Sequence, residues 1–76
     1  MATYLIAMSS ITYANKAYDL LKANGYSCGI ERTPKNLASG CGYSIRVSGS
    51  LDTIAALLNS RGLSPRDIMK VGDADG

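Results

Sequence analysis

Apolar residues occupy both parities of the run Thr3 to Met8, the pattern of a strand covered on both faces and central to its sheet. From Ser9 or Ser10 the period lengthens. Ala14, Ala17, Tyr18 and Leu21 recur at helical spacing while Asn15, Asp19 and Lys22 take the opposite side. Ser10 is placed to cap this helix and Gly25 to stop it. Ser27 to Arg32 alternates weakly, with Cys28 and Ile30 on one face, and reads as a second strand. Tyr43, Ile45 and Val47 alternate with Ser44, Arg46 and Ser48, which predicts a half-buried third strand. Ser50 then opens a second helix striped by Leu51, Ile54, Ala55 and Leu58, with Asp52 in the first turn where the helix dipole favours it. Gly62 ends that helix and Pro65 prevents its resumption. Ile68 to Val71 forms a short last strand, and residues 72–76 are expected to be a flexible C-terminal tail.

The order strand, helix, strand, strand, helix, strand predicts an α+β, ferredoxin-like two-layer sandwich, a four-stranded antiparallel sheet with two helices on one face. The opposite face would carry Ser44, Arg46 and Ser48 together with half of the apolar first strand. Such a face wants a cover, so a homodimer or partner through the open sheet face is expected.

A chain of 76 residues, 46% of them hydrophobic, makes a single domain over 1–76 with one compact core. The net charge of +2 comes from scattered basic residues, not a stripe, which makes a nucleic-acid partner an unfavoured reading. The five Tyr are read as packing residues and not as base-stacking platforms. No apolar stretch approaches the ~20 residues that cross a bilayer, and no export signal is visible, so a cytoplasmic protein away from membranes is expected. The chain has no His, which removes Ser-His and Cys-His catalytic pairs, and two Cys alone cannot close a tetrahedral zinc site. In a reducing compartment a structural Cys28–Cys41 disulfide is not expected either.

The segment Thr33-Pro34-Lys35-Asn36-Leu37-Ala38-Ser39-Gly40-Cys41-Gly42 departs from the usual rules, being ten residues long where a hairpin needs about two to five. Thr33 as cap and Pro34 as first helical residue predict one short helical turn, closed by Gly40 in a left-handed conformation. Two readings of Cys41 follow. Glycines on both sides leave a thiol open to a partner's sulfur and allow backbone N–H groups to converge on an anion. The same pattern also serves a plain turn in which a small Cys is filler. For the first reading Lys35, Arg32 and Arg46 are the candidate helpers of a thiolate, against the unfavourable C-terminal dipole of a short helix ending at Gly40. Cys28, beside Ile30 on a strand, reads as core.

Tyr4-Leu5-Ile6-Ala7, the helix Ala14 to Leu21, Arg32-Thr33-Pro34, Ser39-Gly40-Cys41-Gly42 and Ile45-Arg46 together resemble the selenium or sulfur carrier protein-like family, across most of residues 3 to 71. The resemblance implies a small bacterial cytoplasmic protein that is a carrier and not a stand-alone enzyme. It implies that Cys41 holds a persulfide, or its selenium equivalent, taken from a donor such as a cysteine desulfurase and delivered to an acceptor protein. Arg46 and Lys35 would then hold the charged persulfide or an acidic partner surface, Ser39 would donate a hydrogen bond, and no cofactor or metal is required. Two other classes stand beside this one: a non-catalytic protein- or ligand-binding module, and a redox-sensing thiol with Cys28 as resolving partner.

Overall fold

The central strand β1 spans Ala2–Met8, one residue longer at its start than the alternation predicts. It runs antiparallel to β3 (Tyr43–Ser48) on one side and to β4 (Asp67–Asp73) on the other. β2 (Cys28–Arg32) pairs antiparallel with the outer edge of β3, giving the order β2-β3-β1-β4. A computed structural model describes residues 2–37, 40 and 42–73. Helices α1 (Ile11–Ala23) and α2 (Leu51–Ser60) complete the βαββαβ chain, and the architecture is the ferredoxin-like α+β sandwich.

The helical layer follows from the stripes. Ala14, Ala17 and Leu21 of α1 and Ile54 and Leu58 of α2 are buried against Ile6, Met8, Ile45 and Val47, with Tyr4, Tyr18, Tyr26, Tyr43, Cys28 and Ile30 packed around them. Each fully buried Leu, Ile or Val removes apolar surface from water and contributes about 1.5–3 kcal/mol. Ser10 caps α1, its Oγ accepting from the Tyr13 N–H at 3.3 Å. Ser50 holds the corresponding place on α2 but its side chain makes no capping bond, so only its carbonyl is engaged, by the Ile54 N–H.

Two expectations change. β4 continues through Gly72 and Asp73, which pair with Thr3 and Ala2 across a register shift between Thr3 and Tyr4, so the expected tail is shortened by two residues and 74–76 lie outside the described residues. The second face of the sheet is also covered in part within the chain. Leu5 and Ala7 of β1 point there and are buried within the chain by Leu37, with Met69 and Val71 of β4 alongside. The loop after β2 passes over β3 and β1 and reaches β4, where the Asn36 amide approaches Met69 Sδ at 3.6 Å. It then returns to β3 at Gly42. A lid supplied by the chain itself thus covers Leu5 and Ala7, while Thr3, Gly29, Glu31, Arg46 and Ser48 line a part of the same face that stays open.

Candidate functional site

The lid is held by its own turns. Leu37 N–H donates to Pro34 O at 3.1 Å and Gly40 N–H to Leu37 O at 2.8 Å, two i→i+3 bonds of the tight-turn kind. Pro34 stands where a first turn accepts it, as expected, but Thr33 does not cap. Its Oγ1 is instead 2.7 Å from Ser44 Oγ, in a buried pair that satisfies both hydroxyls under the lid. Gly40 closes a tight helical turn with φ +74°, the left-handed conformation expected of it.

Gly40 and Gly42 are both demanded by the backbone. Gly40 has φ +74°, and a Cβ on it would meet Lys35 Cα at 3.2 Å and Lys35 Cγ at 3.6 Å. Gly42 has φ +79°, and a Cβ there would stand 2.7 Å from the Met8 carbonyl oxygen and 3.8 Å from that of Ser9. Only glycine meets both conditions without strain. The two residues covalently joined to Cys41 are therefore fixed against Lys35 on one side and against the end of β1 on the other. Cys41 itself and Ser39 lie outside the described residues.

Of the residues singled out in the sequence, the structure gathers Thr33, Pro34, Lys35, Gly40 and Gly42 into one lid. Arg46 is not brought to it. It projects from the middle of β3 on the open face, four residues beyond Gly42 or about 13 Å of strand, and its Nε donates to Glu31 Oε1 at 2.7 Å. The hydrogen bond and charge of that carboxylate raise the guanidinium's pKa above its ordinary value and hold it charged. Arg32, the other candidate helper, stands over the Tyr43 ring at 5.7 Å, beside the lid's root. Lys35 has the most direct relation to the glycine frame.

Three features went unread in the sequence. Leu37 buries the open face; as the one large apolar side chain in a ten-residue polar loop, it carried that signal. Glu31 claims Arg46, which the i, i+2 spacing along an edge strand does not reveal. The Ser9 carbonyl lies beside Gly42, and α1, whose N-terminus carries the positive end of its dipole, begins two residues later.

Cys28 offers a contrast. It faces the helical layer, its Sγ 3.9 Å from the Tyr18 carbonyl oxygen, and burial pushes its thiol pKa up despite Lys22 nearby, which keeps it protonated and a poor nucleophile. It also lies at the wrong end. Thr33, whose N–H bonds Gly42 O at 3.1 Å, is five residues along from Cys28 in sequence, or about 16 Å of extended chain. Cys28 thus opens β2 at the end away from the lid, and its partner in the redox-sensing reading, Cys41, lies outside the described residues.

Among the described residues no group of three or more His, Cys, Asp or Glu is placed to hold a metal ion, and no helix is long and apolar enough to cross a membrane. What this end of the molecule can do is present position 41 between two conformationally fixed glycines, beside a lysine and a helix N-terminus. No curated protein and no solved structure matches the chain. Residues 3–70, which take in β1, both helices, the lid and most of β4, match the family described as "Putative Se/S carrier protein-like", and the chain belongs to that family.

Proposed function

We propose that the protein carries a chalcogen on Cys41, accepting it from a donor persulfide and passing it to an acceptor protein. The observation that supports the reading is the pair of glycines around the cysteine, in a chain of the carrier-like family: both are required by the backbone, and the residues next to Cys41 in the chain carry no side chain. In the loading step the Cys41 thiolate attacks the terminal sulfur of the donor's persulfide. The donor's S–S bond breaks, its cysteine leaves as thiolate, and a new S–S bond places the terminal sulfur on Cys41. In delivery the acceptor nucleophile attacks that terminal sulfur and Cys41 leaves as thiolate. Each step is an exchange with no net oxidation, so no cofactor takes part. Selenium follows the same route.

Lys35 and Arg32 lower the cost of the anion at this edge, with the N-terminus of α1 adding to them; Ser39 donates to the bound chalcogen. Arg46 serves the acidic partner surface and not the thiolate, since it is held at Glu31. A reducing cytoplasm is the setting in which such a thiol stays free to load. Incubation with a cysteine desulfurase and cysteine, followed by intact mass measurement, is expected to add one sulfur to the wild-type chain and to the Cys28→Ser variant, and none to Cys41→Ser. Equal loading of wild type and Cys41→Ser ends the proposal.

A further inference from the structure

A cleft of about 330 Å³ lies between α1 and the turn that follows α2, lined by Tyr13, Lys16, Leu20, Arg61, Gly62 and Leu63. Its make-up follows from two local patterns. Tyr13, Lys16 and Leu20 are spaced three and four apart and so share one face of α1. Gly62 ends α2 with φ +71°, and a Cβ built on it meets nothing within 4 Å, so that wall has no side chain and stays open. Leu63, 6% exposed, and Leu20, packed on the core, give an apolar floor. Tyr13 forms an aromatic rim and is 44% exposed, an unusual state for a large apolar side chain here. Lys16 and Arg61 are both exposed at the edges, and no carboxylate lines the cleft among the described residues.

The geometry points to this cleft as the docking site of a partner protein, which inserts an apolar side chain flanked by a carboxylate. The apolar floor takes the side chain, and Lys16 and Arg61 take the charge. Tyr and Arg at the edge of an apolar pocket are the residue types on which binding energy concentrates, and unopposed cations select an acidic segment and speed its encounter. Two cations with no basic stripe beyond them suit a peptide carboxylate better than a nucleic-acid backbone.

Topology also places the cleft. β1 ends at Met8 beside Gly42, α1 begins two residues after Ser9, and the turn after α2 returns to β1, where Arg66 N–H donates to Ala7 O at 2.8 Å. The cleft and the glycine frame therefore share one end of a molecule 29 × 26 × 17 Å in extent. On the carrier reading, the partner seated there is a donor or acceptor; the docking itself stands without that reading.

The test is selection of a random-sequence peptide display library on the full-length protein, with binding of enriched synthetic peptides followed by backbone amide NMR. Enriched peptides are expected to place Asp or Glu beside Leu, Phe or Tyr, and to shift the signals of Tyr13, Lys16, Leu20 and Leu63. They should lose at least tenfold in affinity to a Lys16→Glu/Arg61→Glu variant of unchanged circular dichroism. A Lys22→Glu variant, which reverses an exposed charge of α1 outside the cleft, should bind as wild type does. The absence of an acidic-apolar consensus, shifts confined to the open sheet face, or full affinity in the charge-reversed variant would each overturn the assignment. Because the readout is binding, any of these leaves sulfur loading on Cys41 to be judged separately.

Discussion

Three glycines with different surroundings show how much a single missing Cβ can decide. Gly42 combines φ +79° with a Met8 carbonyl oxygen 2.7 Å from any added Cβ, and that oxygen belongs to the central strand and cannot yield. Gly42→Ala is therefore expected to cost about 1–3 kcal/mol, read as a lower denaturation midpoint at unchanged slope. Gly40→Ala meets backbone at 3.2 Å and a left-handed φ, and belongs in the same range. Gly29 is the opposite case: it lies within β2 at ordinary φ with nothing within 4 Å of an added Cβ. Alanine there is expected to stabilise by about 0.5 kcal/mol, because glycine in a strand loses more backbone freedom on folding. If all three variants destabilise alike, the glycine frame has no special geometry. Cys28 makes a related point about thiols: the one facing the helical layer is made inert by burial, so reactivity in this chain is decided by surroundings and not by residue type.

At the scale of elements, the strands and helices were legible because each carries its own period, and the misread parts were those whose partner lies far along the chain. The stripe of α1 announced Ala14, Ala17 and Leu21, and the structure buries all three. The alternation of β3 announced an inner and an outer face, and Ile45 and Val47 are inside. The apolar first strand was also read correctly as covered on both faces, but the cover was sought in a second molecule. The loop supplies it through Leu37, a residue 30 positions from Ala7, and local period says nothing about that contact. The same limit hid the Thr33–Ser44 pair and the Arg46–Glu31 pair. The family-like segment around Gly40 and Gly42 was legible as a motif, while the support beneath it was not. Since Leu37 is 3% exposed and sits on Leu5, Ala7, Met69 and Val71, Leu37→Ala should cost about 2–3 kcal/mol. It should also bare an apolar patch on the sheet. Sedimentation is expected to show a monomer for the wild type at all salt concentrations and self-association for the variant. A wild-type dimer that Leu37→Ala leaves unchanged would mean that the lid is not what closes this face.

Considered whole, the fold sets Cys28 at the end of β2 away from the lid, and this placement bears on how the molecule meets oxidants. β2 is a rigid spacer: Cys28 begins it, the lid leaves from its far end, and β3 ties the two together through five paired positions from Cys28–Val47 to Arg32–Tyr43. With Cys28 at the far end of β2 from the lid, a sulfenic acid formed by peroxide on Cys41 is expected to condense with a thiol of another chain, releasing water and leaving a disulfide between molecules. Mild hydrogen peroxide should accordingly produce no chain lighter by two hydrogens, and instead a covalent dimer that forms faster at higher protein concentration. Cys41→Ser should abolish that dimer and Cys28→Ser should preserve it, since the Cys28 thiol is held protonated by burial. A monomeric product lacking two hydrogens, present in the wild type and lost in both single variants, would show that the cysteines do meet. That result would return the redox-sensing reading to first place over the carrier.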